Sequence, residues 1–262
     1  MFHEGRTHPT LDHIVILVSH KTLSGLSDSL HHLFTVALGG NHADGLTSNK
    51  LVLLKDGVYI EFIAFFDSVD PERRKQHRWG NLKENTIIDW AFTFPPKGDF
   101  DAIKQRVLNR NSGFHYQEPD GWGRKRNDGT MLEWRLSAPV DSLGNPVPGI
   151  IPFWCLDKTP RELRVPFEAQ PELTDHPCRA VRVSSLSVTV PHGQSSDIKK
   201  VYEAIYDLQS RSQWPYEVPS DRSVGTHCIS LLEDVKMVVT LTLSGPERGQ
   251  VEVLPGLVFN IQ

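Results

Sequence analysis

Cysteine is scarce and unpatterned in this sequence. Cys155, Cys178 and Cys228 are the three cysteines; they stand far apart and none belongs to a C-x-x-C pair. An odd, scattered set excludes a disulfide framework and a thiolate zinc site, so a reducing compartment is expected.

Long apolar runs are also missing. No stretch approaches the roughly 18 to 20 apolar residues that a membrane span needs, and residues 1–9 (MFHEGRTHP) are polar where a signal peptide would be apolar. These absences predict a cytoplasmic protein with no membrane partner.

An excess of positive charge is absent as well. The 28 basic and 32 acidic residues give a formal net charge of -4, which is too little positive charge to cover a phosphate backbone. Nucleic acid is therefore not expected as a partner. With 262 residues, of which 39% are apolar, the chain can nevertheless bury a large core in one or two domains.

What the sequence does contain is a pattern of strands and a helix that recurs. Residues 11–18 (LDHIVILV) predict an apolar strand, the apolar side chains of residues 23–34 have helical spacing, and residues 50–66 predict two strands around an Asp-Gly turn. The pattern starts again at residues 87–94 and once more at residues 183–190. One such unit leaves a face of its sheet uncovered and needs a neighbour. We therefore predict an α+β fold of repeated βαβββ modules.

The predicted modules divide the chain into three parts. Residues 10–160 would form a domain of two paired modules, residues 161–180 a proline-containing linker, and residues 181–262 a third, divergent module. Pairing of modules occurs within one chain or across a homodimer, and the sequence leaves both open.

Several motifs resemble the glyoxalase-like domains of the vicinal oxygen chelate superfamily. Residues 11–15 (LDHIV), 39–49 (GGNHADGLTSN) and 57–61 (GVYIE) resemble the opening module, and residues 126–136 (RNDGTMLEWRL) and 149–153 (GIIPF) resemble the second one. The resemblance implies mixed or antiparallel sheets that curl around a cavity, with helices on the outer face. It also implies that a divalent metal is often held by the first and last strands of the modules.

The resemblance points to His13 in the first strand and Glu61 in the fourth as site residues. Aligning the repeats internally puts Trp90 opposite His13, and Glu133 opposite Glu61. His13, Glu61 and Glu133 are thus the predicted catalytic set, which could also hold a metal. Tryptophan cannot coordinate a metal, so Trp90 leaves the predicted ligand set without a second histidine. Two alternatives stay open: the site holds a Zn, Mn, Fe, Ni or Mg ion, or the pocket is metal-free.

Further residues are candidates for contact with a substrate. The glycine-rich stretch lets backbone amides approach an oxygen-bearing ligand, arginines clamp a carboxylate or carbonyl oxygen, and aromatic rings stack on a ligand. The candidates are His42, Asn49, Trp90, Arg126, Trp134, Arg135 and Phe153. Residues 67–78, by contrast, predict a solvated charge run, and Cys155 predicts an inert core thiol.

The resemblance implies a glyoxalase-like lyase or isomerase that acts on a small oxygen-rich or carbonyl-bearing metabolite. The alternative is a metal-free protein of the same fold that binds or sequesters a small molecule between aromatic rings. Fold membership does not decide between them, because this fold hosts several reactions and binders.

Overall fold

The first part of the chain folds as one strand, two short helices and three strands. The computed structural model describes residues 8–94, 99–126, 128–209, 211–220, 226–246 and 248–262, so residues 1–7 and Asn127 of the turn motif lie outside it. The elements are β1 (Thr10–Leu17), α1 (His20–Ser24), α2 (Leu26–Leu30), β2 (Ala37–Asn41), β3 (Thr47–Leu53) and β4 (Tyr59–Phe65). The Ser19 hydroxyl caps α1 by accepting the Thr22 N–H at 3.0 Å, and Gly25 separates the two helices.

The second part repeats this plan with two small insertions. A short helix, α3 (Pro71–Gln76), connects the two parts. The next elements are β5 (Thr86–Thr93), α4 (Phe100–Asn109), β6 (Phe114–Tyr116), β7 (Asp120–Lys125), β8 (Met131–Ser137), β9 (Pro139–Asp141) and β10 (Phe153–Asp157). The strands β6 and β9 form a separate two-stranded sheet.

Both parts contribute to one curled eight-stranded sheet in the order β2-β3-β4-β1-β5-β10-β8-β7. The central strands β1 and β5 run antiparallel, and each has a parallel neighbour on its other side, β4 beside β1 and β10 beside β5. The predicted α+β fold of paired modules is confirmed.

This pairing corrects the internal alignment of the repeats. The strand that corresponds to β4 is β10, because each lies parallel to the first strand of its own module. Glu133 lies on β8, one strand further out, and its side chain is exposed. Trp90 is fully buried in the core on the face opposite the His13 side chain, where it packs with the helices. Neither residue occupies the place that the alignment predicted.

The remainder of the chain forms a second sheet. Its elements are α5 (Arg161–Arg164), a 3-10 helix (Pro171–Thr174), β11 (Arg182–Pro191), α6 (Ser195–Tyr206), β12 (Gln213–Pro215), β13 (Cys228–Asp234), β14 (Val238–Ser244), β15 (Gly249–Leu254) and β16 (Leu257–Ile261). The strand order is β12-β13-β11-β14-β16-β15. Apolar residues of both sheets and of α4 and α6 form one continuous core.

The second sheet repeats the pairing of the first, so it is two reduced modules rather than the one that was predicted. Ser185 on β11 pairs with Cys228 and Thr242, as His13 on β1 pairs with Tyr59 and Ala91. Ser185 therefore holds the position of His13. No helix in the described part of the chain is long and apolar enough to cross a membrane.

Candidate active site

A cavity of about 60 Å³ lies on the concave face of the larger sheet. Its lining comes from both modules: His13 and Glu61 belong to the first, and Trp134 and Phe153 to the second. Arg164 of α5 also reaches the cavity, although its helix lies in the segment predicted as a linker. The curled sheet thus forms the cavity that the sequence predicted.

His13 is 3% exposed, and its ring is held by a hydrogen bond at Nδ1 and by stacking on a neighbouring tyrosine. Its Nδ1–H donates to Asp12 Oδ2 at 2.6 Å, and its Nε2 lies 3.5 Å from Glu61 Oε2. The ring stacks on Tyr59 with centroids 4.7 Å apart. Burial lowers the pKa of His13 to about 4, against the opposing effect of the Glu61 charge. The imidazole is therefore neutral at pH 7, with an unprotonated Nε2.

Asp12 is the anchor of this histidine. A shift of register between β1 and β5 falls between Leu11 and His13 and interrupts the regular alternation of the strand. The Arg164 guanidinium donates to both carboxylate oxygens of Asp12, at 3.0 and 3.2 Å, and Arg161 forms a further ion pair with it. Two cations thus balance the charge of a fully buried carboxylate, which in turn orients the ring of His13.

Glu61 is 5% exposed and lies between two histidines. Its Oε1 accepts a hydrogen bond from Asn49 Nδ2 at 2.5 Å and lies 3.7 Å from His42 Nε2. The other ring nitrogen of His42 bonds to the Thr47 hydroxyl at 2.7 Å. Burial lowers the pKa of His42, so its neutral form is favoured. His13, His42, Asn49 and Glu61 are brought together.

The Gly39-Gly40 pair makes room for side chains rather than for a ligand. A Cβ at Gly39 would collide with Asn49, and the Gly40 N–H donates to Asn49 Oδ1 at 2.9 Å. The expectation that the amides of this stretch face a ligand is therefore wrong for Gly40, whose N–H is occupied by Asn49. The glycines let Asn49 reach Glu61.

Three arginines that the sequence analysis did not single out line the cavity. Arg164 bonds to Asp12, to Asp157 and, at 2.7 Å, to the Tyr59 hydroxyl. Arg78, predicted to be solvated, instead forms a largely buried ion pair with Asp89. Arg124 on β7 is 6% exposed, and its Nη1 donates to the Gly39 carbonyl at 2.6 Å.

One sequence signal could have identified Arg124. Trp122 and Arg124 both line the cavity, two residues apart on β7 and separated by Gly123. Alternation of this kind is typical of a strand with one face toward a pocket. The burial of Arg78 and Arg164, by contrast, depends on carboxylates from other elements.

The remaining candidates divide between the cavity and the outside. His42, Asn49, Trp134 and Phe153 line the cavity, as does Cys155, whose pKa burial raises to about 12. On β8 the side chains of Leu132 and Trp134 are buried, whereas those of Glu133 and Arg135, which alternate with them, are exposed. Arg126 lies outside the cavity and pairs with Asp128 at 3.3 Å. Four residues predicted to contact the substrate or to act in catalysis therefore lie outside the cavity: Glu133, Arg126, Arg135 and Trp90.

The donor groups of the cavity fit a resident Mg²⁺ or Ca²⁺ ion poorly. Among the residues that the structure describes, no group of three or more His, Cys, Asp or Glu side chains is arranged to hold one. Next to His13 the second module presents Ala91 and, beside that, Phe153, neither of which can coordinate a metal. Glu61 is the only carboxylate among the described lining residues, and three guanidinium groups share the cavity with it. One carboxylate is too few for the oxygen-rich coordination that Mg²⁺ or Ca²⁺ prefers, whereas His13 and His42 beside Glu61 are donors of the type that Zn²⁺ or Fe²⁺ accepts.

Comparison with known proteins agrees with the fold. A search of curated proteins found no match. A hypothetical protein from Staphylococcus aureus is similar in structure, with a TM-score of 0.64 and 11% identity over 97% of this chain and 98% of the other. A triple mutant of 4-hydroxymandelate synthase from Streptomyces coelicolor gives a TM-score of 0.50 and 14% identity over 92% of this chain and 72% of the other.

The family comparison is more specific. The family model described as "Glyoxalase-like domain" matches residues 11–204, which is well over half of the chain. This range covers the strands of both modules that form the cavity, then β11 and most of α6. The chain belongs to the glyoxalase-like domain family and has the fold of the vicinal oxygen chelate superfamily.

Proposed function

We propose that this protein is a glyoxalase-like enzyme, an isomerase or lyase that acts on a small oxygen-rich or carbonyl-bearing metabolite. The buried pair of His13 and Glu61, whose Nε2 and Oε2 atoms lie 3.5 Å apart at the cavity, carries the proposal. Two titratable groups with this degree of burial in one cavity are typical of proton transfer. Because His13 is neutral, its Nε2 atom can accept a proton.

Removal of a proton from a carbon next to a carbonyl is the step that suits this pair. Glu61 Oε2 takes the proton, the electrons of the broken C–H bond form a C=C bond, and the carbonyl oxygen becomes an enolate oxygen. His13 Nε2 can receive the proton from Glu61 because its Nδ1–H is already bound to Asp12. Return of the proton to carbon completes an isomerisation, and loss of a group from the neighbouring carbon completes an elimination.

Arg78 supplies hydrogen-bond donors for the enolate oxygen. Its Nη2 is paired with Asp89, whereas its Nε and Nη1 are buried without a hydrogen-bond partner in the described part of the chain. The guanidinium lies over the rings of Phe153 and Trp79, 4.6 and 4.9 Å from their centroids. Donors that are fixed before the reaction stabilise developing charge without reorganisation.

A metal-free binding protein is the second candidate. The rings of Trp79, Trp122, Trp134 and Phe153 line the cavity and favour a flat ligand. In that case His13 and Glu61 would only orient the ligand, so their replacement would weaken affinity and there would be no turnover to lose.

Solvent deuterium exchange tests the proposed reaction. A panel of small ketones, aldehydes, 2-oxo acids and their amides is incubated in D₂O with the wild-type protein, Glu61→Gln or Glu133→Gln, and proton NMR follows deuterium uptake next to the carbonyl. Glu133→Gln is the matched control, because this exposed residue lies outside the cavity.

We expect wild type and Glu133→Gln to exchange at least one member of the panel above the buffer rate, and Glu61→Gln to lose about 100-fold or more of that rate. Equal exchange by Glu61→Gln and wild type would refute the role of Glu61. Binding of panel compounds without any exchange would favour the second candidate.

A further inference from the structure

We propose that Arg124 is a binding site for the carboxylate group of the substrate, so that the substrate is a small oxo-carboxylate. The inference extends the proposed function and rests on it for the identity of the reacting carbonyl group.

Arg124 differs from the other two arginines of the cavity in having no counter-ion. Arg78 is paired with Asp89, and Arg164 with both Asp12 and Asp157. In the described part of the chain no carboxylate lies within ion-pair distance of Arg124, whose Nη1 donates only to the Gly39 carbonyl.

A buried cation without a paired anion is unfavourable, because its desolvation is not fully offset. Burial lowers the pKa of Arg124, although the charge of Glu61 in the same cavity acts in the opposite direction. Glu61 is not in ion-pair contact with Arg124; its near neighbours are Asn49 and His13. An incoming anion would therefore supply the charge that Arg124 lacks.

The chain keeps space open for this guanidinium. A Cβ at Gly40 would lie 3.1 Å from Nη1 of Arg124, so any side chain there would push against it. The bond to the Gly39 carbonyl fixes one edge of the guanidinium. The remaining N–H groups form a planar fork, which matches two oxygens of one carboxylate.

The aromatic walls of the cavity suit a planar carboxylate. The space is about 60 Å³, and Trp122 and Trp134 form part of its wall. A planar carboxylate fits beside flat rings. With Glu61 and Arg78 at the same cavity, a carbonyl and its acidic C–H bond would complete an oxo-carboxylate.

Calorimetric titration of the full chain at pH 7.5 tests this site. The probes are pyruvate and acetoacetate, with pyruvamide and acetoacetamide as uncharged matches and inorganic phosphate as the alternative anion. The proteins are wild type, Arg124→Gln, Arg124→Lys and Arg135→Gln. Arg135→Gln is the matched control, because it removes an exposed arginine of the neighbouring strand β8.

We expect wild type and Arg135→Gln to bind at least one carboxylate more tightly than its amide, and Arg124→Gln to bind that carboxylate about tenfold more weakly or worse. Arg124→Lys keeps the positive charge but loses the planar fork of N–H groups, so its carboxylate affinity should lie between those of wild type and Arg124→Gln. This variant also shows whether a folded protein with a cation at position 124 retains binding. Equal affinity for acids and amides, tighter binding of phosphate, or unchanged affinity in Arg124→Gln would each overturn the proposal.

The two proposals can fail separately. Arg124-dependent binding of a carboxylate without deuterium exchange would leave the binding site standing and reject the proposed reaction. Exchange that depends on Glu61 but proceeds equally on neutral ketones, with and without Arg124, would keep the reaction and reject the carboxylate site.

Discussion

Replacement of Asp12 by asparagine should destabilise the protein strongly. The Asp12 carboxylate is fully buried and has three partners: Nδ1 of His13 at 2.6 Å, the guanidinium of Arg164 at 3.0 and 3.2 Å, and Arg161. Asparagine has nearly the same size, but it removes the negative charge and turns an NH₂ group toward cations. Removal of one partner from a buried ion pair costs about 3 to 5 kcal/mol.

For a chain of this size, each kcal/mol lowers the melting temperature by roughly 2 to 4 °C, so the expected decrease is roughly 6 to 20 °C. Circular dichroism during thermal unfolding measures it. Asp175→Asn is the matched control: it breaks an ion pair with Lys55 at 2.7 Å, and both side chains are more than half exposed. Such an exposed pair contributes little to the free energy of unfolding, because solvent screens it. A decrease for Asp12→Asn no larger than that of the control would refute the reasoning.

Three further predictions follow from buried titratable groups. Nitrogen-15 NMR of the imidazole should find His13 neutral at pH 7 and protonated at Nδ1, with a pKa of about 4; titration near 6.5 would contradict its burial. Burial raises the pKa of Cys155 to about 12, so iodoacetamide at pH 8 should leave this thiol unmodified, as judged by peptide mass spectrometry, until urea unfolds the chain. Burial also raises the pKa of Asp56 from 3.8 to about 7. The unfolded chain therefore releases this proton at lower pH, so the contribution of Asp56 to the free energy of unfolding falls as the pH rises from about 4 to 7. Urea unfolding at several pH values should show that the free energy of unfolding declines less with rising pH for Asp56→Asn than for wild type. An equal decline would contradict the raised pKa of Asp56.

The paired modules could be predicted from the sequence because their strands carry strong local signals. The apolar run around His13 and the Asp-Gly turn before Tyr59 predict β1 and β4 without knowledge of the fold. The doubling of the second sheet could not be predicted in this way. Its last three strands follow one another without a helix, so the pattern that marks a new module is absent there.

Site residues could be predicted where a polar residue interrupts an apolar strand. Site residues that are buried only because they pair with a distant charge were missed. His13 and Glu61 stand out as polar residues within apolar strands. Arg164 can be buried because it forms an ion pair with Asp12, which is 152 residues away in the sequence. Arg78 likewise needs Asp89. The position of Glu133 was mistaken because residues 138–152, which include β9, separate β8 from the last strand of the module.

The most direct test of the account is proton exchange by metal-free protein. Wild type and Glu61→Gln are dialysed against a chelator, their metal content is measured by mass spectrometry, and deuterium uptake is followed with the compound of the panel that exchanges fastest. We predict that wild type retains its rate with less than about 0.1 equivalent of metal and that Glu61→Gln loses it, because Glu61 and His13 carry the proton. Loss of the wild-type rate on chelation, with recovery when a divalent metal is returned, would contradict the proposal.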